Sequence, residues 1–257
     1  MNALPGGVRL SITILHHPSR AARLPGLLDA VQEGRWVAGV STDDSGQPPS
    51  LAGLAYNFLR AAVPPPGATH HLVLQDDAVP CRDFVRSVGR ALQARPQHAV
   101  GLYSARAACR RALEQGQSWA ELYGELWGLA ILMPAGWWRE FLQFNRAAFT
   151  SNDRFHDDAR VALWLAWQGR STWCTVPSLL DHAAGESLLK HNSRKSRASW
   201  ALAPHESGLV YDWSKLDKAP RSGVTLRSLI EYHSRELDSA WWGLQGWRRD
   251  GDVWRKG

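Results

Sequence analysis

Cysteine is scarce in this chain, long apolar runs are absent, and the nineteen residues from 187 to 205 contain no acid. Cys81, Cys109 and Cys174 are odd in number and lack metal-finger spacing, which argues against a disulfide framework and for reduced thiols in a cytosolic setting. No segment reaches membrane-spanning length, and the first residues lack a basic stretch followed by a long apolar one. A soluble, unexported, cytoplasmic protein without a transmembrane segment is therefore expected. The acid-free stretch carries Lys190, Arg194, Lys195 and Arg197, a local basic segment within a chain of formal charge +6.

At 257 residues the chain is long enough to bury a sizeable core as one large α/β domain or as a domain with an appendage. Tryptophan is frequent, 14 residues, and six of them (Trp200, Trp213, Trp241, Trp242, Trp247 and Trp254) lie beyond residue 182. Such rings serve as core or as platforms for sugars, bases or lipid headgroups.

Val8 to Leu15 has the β-branched, apolar character of a first strand, and it runs into the polar turn His16-His17-Pro18-Ser19-Arg20. Leu24, Leu27, Leu28 and Val31 recur at helical spacing. Residues 36–41 read as a second strand ending in the loop 42–46, and a helix is expected from about Ser50 to Ala62. After the break at residues 64–67, Leu72, Val73 and Leu74 form a buried strand that stops at Gln75-Asp76-Asp77-Ala78-Val79-Pro80. Strand, helix, strand, helix, strand predicts a parallel sheet with helical crossovers. A helix marked by Phe84, Val88 and Leu92 and a short strand at 99–103 follow. Residues 104–124 are polar and arginine-rich and read as a loop or helix over the active face; 126–133 reads as a strand, with Pro134 in the first turn of the next helix.

Two acidic pairs stand out. Asp76-Asp77 ends a strand, and in an open α/β sheet the crevice beyond the carboxyl ends of the strands is where ligands bind; the same dipeptide is also an ordinary turn former. Asp157-Asp158 precedes the apolar helix 159–167, where acids are favoured by the helix dipole and where one of them could also accept a proton. Beyond the strand 171–176, His182 closes the segment Val176-Pro177-Ser178-Leu179-Leu180-Asp181-His182, and a neutral imidazole there could complete an oxygen-rich cation site begun by Asp77.

In this order, over roughly residues 8 to 190, these features resemble the GT-A type of nucleotide-sugar-dependent glycosyltransferases, including those that modify phage DNA. The resemblance implies an α/β, Rossmann-like fold with a mostly parallel central sheet flanked by helices over 1–190. A basic, Trp-rich helical extension, 191–257, would pack on it. In that family an Asp-x-Asp motif or its variant holds the metal and the donor's ribose and diphosphate. By the resemblance, Asp77 and His182 are metal ligands, and Gln75 takes the place of the first acid, where its amide can still meet a hydroxyl. One of Asp158 and Asp157 is the general base of inverting members. The expected cofactors are Mn²⁺ or Mg²⁺ and a nucleotide-sugar donor, a UDP-sugar foremost.

His16, Arg20, Asp76 and Lys190 are expected to face the donor, with Lys190 to Arg197 closing as a lid over its diphosphate or gripping an anionic acceptor. Arg194, Lys195, Arg197 and Trp200 would suit DNA presenting a hydroxymethylated pyrimidine out of its stack. A saccharide, glycolipid or protein acceptor, or a non-catalytic carbohydrate- or nucleic-acid-binding module, are the alternatives. The C-terminal tryptophans are expected to pack a helix onto the main domain, with an acceptor platform or interfacial anchor as the other use.

Overall fold

The computed structural model describes residues 7–32, 37–44, 48–151, 156–183, 201–203, 205–215, 219–251 and 253–257. The chain opens β1 (Leu10–His16), α1 (Leu24–Gln32), β2 (Val37–Thr42), α2 (Leu51–Ala61) and β3 (His70–Gln75). A short β4 (Ala78–Pro80) follows the two acids, then α3 (Phe84–Ala94) and β5 (Ala99–Gly101). Next come α4 (Ala107–Glu114), β6 (Trp119–Tyr123), β7 (Ala130–Pro134), α5 (Ala135–Ala148) and α6 (Asp157–Trp167). The last elements are β8 (Thr172–Thr175), β9 (Leu180–His182), β10 (Arg221–Gly223), α7 (Leu226–Tyr232), α8 (Ser239–Leu244), β11 (Trp247–Asp250) and β12 (Val253–Lys256).

Eight strands form one sheet in the order β10-β6-β8-β5-β7-β3-β1-β2. The strands β2, β1, β3, β5 and β8 run one way, and β7, β6 and β10 the other. This is an α/β fold with a mostly parallel central sheet flanked by helices, compatible with a Rossmann-like arrangement. The alternation along β3 explains the two-sided core: Leu72 and Leu74 face the cluster with Ile12, Ile14, Phe84 and Val88, while Val73 joins Phe58, Trp138, Phe141 and Trp164 on the opposite face.

The chain passes from β1 out to β2 and then back across β1 to β3, so the direction of winding reverses between β1 and β3. Such a reversal opens a crevice at the carboxyl ends of the two strands. His16 and Gln75 are those ends. Ser50 caps α2 by accepting from the Gly53 amide at 3.0 Å, and this helix forms the flank of the crevice below β2.

Several elements differ from the sequence expectations. Residues 104–124 hold α4 and then β6, a strand inside the sheet. Its buried Trp119, Ala120 and Leu122 are interrupted by the half-buried Glu121, so the charge of the surrounding stretch masks a short strand. The strand expected over 126–133 starts only at Ala130, and residues 127–129 instead line the crevice. Pro134 is the cap before α5 and lies outside its first turn.

The region after residue 200 is mixed in structure. Besides two helices it supplies β10, which pairs in parallel with β6 at the edge of the main sheet, and the β11–β12 hairpin. Trp242, Trp247 and Trp254 pack in the same core cluster as α5 and α6, and the Trp242 indole donates to the Ala148 carbonyl at 3.1 Å. Arg160, fully buried on α6, donates to Glu236 at 2.7 Å and to Asn145 at 3.0 Å, tying α6 to α5 and to the segment after α7. Among the described residues no helix is long and apolar enough to cross a membrane. The three cysteines are free and buried.

Candidate active site

The end of β3 delivers two buried carboxylates into the crevice, and each is held by a different partner set. Asp76 is turned toward the loop after β1. Its Oδ2 accepts from the His17 amide at 2.8 Å and lies 3.1 Å from His16 Nδ1, and its Oδ1 accepts from Arg20 at 2.8 Å. Asp76 thereby fixes the His16 to Arg20 turn. Arg20 Nη1 also lies 2.8 Å from Asp77 Oδ2, so one guanidinium spans both acids.

His182 reaches Asp77 through a local device. β4 and β9 pair antiparallel with Ala78 opposite His182, and the Ala183 amide donates to the Asp77 carbonyl at 2.7 Å. Three-residue strands carry little periodic signal, and β4 also contains Pro80, which is why neither was expected as a strand. The pairing places His182 Nε2 3.1 Å from Asp77 Oδ2, while Nδ1 faces the Ala183 carbonyl at 3.0 Å. A carbonyl only accepts, so Nδ1 carries a proton; Nε2 donates to the carboxylate when the ring holds its second proton and offers its lone pair to an ion when it does not. Burial alone would raise the Asp77 carboxyl; the His182 hydrogen bond and the His182 and Arg20 charges outweigh it, so the group is held below its ordinary value.

The opposite wall is the start of α6. Asp157 is buried, and among the described residues no cationic side chain bonds it. Gln75 Nε2 donates to its Oδ2 at 3.2 Å and the Asp158 amide to its Oδ1 at 2.9 Å. Burial, reinforced by the neighbouring Asp158 charge, pushes the Asp157 carboxyl up to about 7. Gly128 makes room for this acid: a Cβ there would lie 3.0 Å from both carboxylate oxygens and 3.1 Å from Gln75 Nε2. Asp158 is half-buried and its Oδ1 accepts from the Ala159 amide at 2.8 Å, a first-turn capping contact.

The two walls enclose a cleft of about 230 Å³ lined by His16, Arg20, Gln75, Asp76, Asp77, His182, Asp157 and Asp158 together. That is just under the roughly 300–1,000 Å³ usual for ligand pockets, so a ligand of nucleotide-sugar size extends past its rim. Gln75, expected at the donor, spends its amide on Asp157. Lys190, Arg194, Lys195, Arg197 and Trp200 lie outside the described residues.

Sequence reasoning missed Asp43 and Asn57. Asp43 is buried at the carboxyl end of β2, lines the same cleft, and its amide donates to the His16 carbonyl at 2.8 Å. The rule that singled out Asp77, an acid just past a strand's carboxyl end, applies equally to Asp43. Asn57 bonds Ser41 Oγ at 2.5 Å and the His16 carbonyl at 3.2 Å, cross-linking the ends of β1 and β2.

Asp77 and His182 suit a shared divalent ion. Asp77 Oδ1 is buried with no hydrogen-bond partner among the described residues. The Ala183 contact orients the imidazole as carbonyl partners orient metal-bound histidines. Two donor atoms at right angles on an ion with bonds of about 2.1 Å lie about 3.0 Å apart, close to the 3.1 Å seen between Nε2 and Oδ2. Among the described residues no group of three or more His, Cys, Asp or Glu side chains forms a metal cage. The fit is therefore to an ion completed by substrate phosphates and water, the usual way Mg²⁺ is held.

No protein-family model matches the chain, and no curated protein sequence matches it.

Proposed function

We propose that the chain is a metal-dependent glycosyltransferase of the GT-A type, moving a sugar from a nucleotide-sugar donor to an acceptor hydroxyl. The observation that carries this reading is one cleft with two carboxylates in opposite states. Asp77 faces Arg20 and is held below its ordinary value, and Asp157 is buried against neutral donors among the described residues and raised to about 7. Paired acids whose environments push their pKa values apart mark separate jobs at one site.

In the transfer, the acceptor oxygen bonds to the anomeric carbon as the bond from that carbon to the diphosphate oxygen breaks. The nucleoside diphosphate leaves with the electron pair. Asp157 takes the acceptor's proton, and a base with a pKa near the working pH is best matched to that task. Of the two acids expected in this role, Asp157 has the burial and the raised pKa, whereas Asp158 is only half-buried. Arg20 is held by Asp76 and Asp77 through Nη1 and presents its other N–H groups to a diphosphate. Asp77 and His182 would hold Mn²⁺ or Mg²⁺, which would neutralise charge developing on the leaving diphosphate. Asp43, at the end of β2, stands where Rossmann-like folds place the acid that meets a ribose hydroxyl.

The test is nucleotide release from a panel of UDP-, GDP- and dTDP-sugars with and without Mn²⁺, followed by transfer of labelled sugar to acceptors. Hydroxymethylpyrimidine DNA leads the acceptors, ahead of saccharides, glycolipids and proteins. Metal-dependent release from one donor is the expected result. Binding of a donor without any release would instead favour a non-catalytic carbohydrate- or nucleic-acid-binding module.

A further inference from the structure

Outside the cleft, the β11–β12 hairpin carries an exposed concentration of positive charge. Its residues 247–257 contain Arg248, Arg249, Arg255 and Lys256 against two acids. Arg248 pairs directly with Arg255 across the two strands, and both are exposed. Like charges directly opposite on a strand pair are destabilising. Neither guanidinium has a hydrogen bond or ion pair among the described residues. Arg249 and Lys256 lie on the tryptophan face at its exposed rim, Arg249 bonding the Gly251 carbonyl at 2.9 Å and Lys256 lying 6.0 Å from the Trp247 ring centre, while Asp250 shares the outer face with Arg248 and Arg255.

The hairpin is firmly seated despite this repulsion. Trp247 and Trp254 point inward and are 6% and 0% exposed, each meeting the buried Trp242 edge-on, at 6.5 and 6.4 Å between centroids. Packed tryptophans thus hold two arginines side by side on the solvent face. Two adjacent planar forks match phosphate oxygens, for which Arg is better shaped than Lys.

We infer that the β11–β12 hairpin is a nucleic-acid docking ribbon that grips the phosphate backbone through Arg248 and Arg255. A two-stranded ribbon also has the width to lie in a DNA major groove. A bilayer surface fits less well, because the tryptophans are turned into the core and Leu244 and Val253 are the exposed apolar side chains at this end. The ribbon packs on α7, and α7 packs on α6, so it flanks the side of the cleft where Asp157 lies. At the end of α7 the exposed Tyr232 ring stands 6.2 Å from that of His156, which lines the cleft. The inference deepens the transferase reading by naming the acceptor polymer, but binding can be measured without any transfer.

The experiment is fluorescence anisotropy of a labelled DNA duplex with the full chain, titrated from about 50 to about 200 mM salt. Wild type is expected to bind with affinity falling steeply with salt. Arg248→Gln/Arg255→Gln is expected to weaken binding about tenfold and to reduce the salt slope by about two, one per lost phosphate contact. Thermal melting confirms that the variant is folded. In wild type alone, phenylglyoxal labelling of Arg248 and Arg255, read by mass spectrometry, is expected to be blocked by the duplex. Unchanged affinity and slope in the folded double variant would overturn the inference, as would unprotected arginines in the complex. Binding to phosphatidylserine vesicles with none to DNA would overturn it in favour of a membrane surface. Donor hydrolysis is measured in parallel: hydrolysis without DNA binding removes the ribbon and leaves the transferase, and the converse removes the transferase and leaves the ribbon.

Discussion

The same dipeptide, Asp-Asp, lines one cleft twice, and its two copies have been put into opposite electrostatic states. Asp76-Asp77 leaves the carboxyl end of β3 to meet the Arg20 guanidinium and the rings of His16 and His182, supplied by the turn after β1 and by β9. Asp157-Asp158 opens α6, where the nearest polar partners of Asp157 are an amide side chain and a backbone N–H. Both are largely out of solvent, with 3% exposure for Asp77 and 6% for Asp157, so exposure alone does not separate them. The difference is the surroundings: at Asp77 the His182 hydrogen bond and the His182 and Arg20 charges outweigh burial, whereas at Asp157 burial is reinforced by the Asp158 charge and the carboxyl rises to about 7.

The strongest way to break this contrast is Asp157→Asn. If Asp157 accepts the acceptor's proton, transfer falls by about 10²–10⁴ while donor affinity, measured by calorimetry, is unchanged. Stability moves the other way. A carboxyl raised in the folded state binds a proton that the unfolded chain has released, so wild-type stability falls as pH rises from about 4 through about 7. Asn removes that loss, and urea denaturation at about pH 8 should show Asp157→Asn gaining up to about 4 kcal/mol at 1.36 kcal/mol per pKa unit. At about pH 4 the gain should vanish.

Asp77→Asn is the mirror experiment. Metal-dependent donor affinity is expected to drop about 10–100-fold, the range seen when metal-site partners are removed, and His182→Ala should fall in the same range. Here stability should drop at neutral pH, because Arg20 and His182 lose their shared counter-charge. Asp77 is held below its ordinary value, so its contribution is present above that value and lost as pH falls through the lowered one. Opposite signs of stability change at neutral pH are the result that keeps the two walls distinct; equal signs would erase the comparison.

Much of this was legible in the chain, and what was not has physical reasons. The β1 and β3 strands and the helices α1 to α3 announce themselves by apolar periodicity, since each buries one face or both. β10 cannot: Arg221-Ser222-Gly223 has no apolar side chain and joins the sheet edge through backbone bonds and polar side-chain contacts, the Arg221–Glu121 ion pair among them. The acids at Asp77 and Asp157 stand at element boundaries, where sequence shows them. Their partners depend on contacts that only folding creates, as between Gln75 and Asp157, 82 residues apart. The amide at position 75 reads in sequence as a missing acid. In the fold it is the side chain that can donate to Asp157, where a carboxylate would repel it.

Gln75→Glu tests that point with a smaller effect. A second carboxylate at about the same 3.2 Å separation would have to share a proton with Asp157. The Asp157 carboxyl would rise further, and transfer at neutral pH should fall about tenfold, recovering as pH is raised. A loss that does not recover with pH would mean that Gln75 acts on the donor, the role its place in the Asp-x-Asp pattern implies.

Asp158→Asn should have the smallest effect and separates the two acids of α6. The Asp158 charge is the second cause of the raised Asp157 carboxyl, after burial. Asp158 is half-buried, so its influence is screened at an effective dielectric of about 20 or more. Removing it should move the acid limb of the pH–rate profile downward by less than about one pH unit, with the plateau rate nearly unchanged. The wild-type limb itself should lie near 7, since activity requires Asp157 deprotonated. A collapse of the plateau in Asp158→Asn would transfer the base to Asp158 and reduce the raised carboxyl of Asp157 to a consequence of its burial.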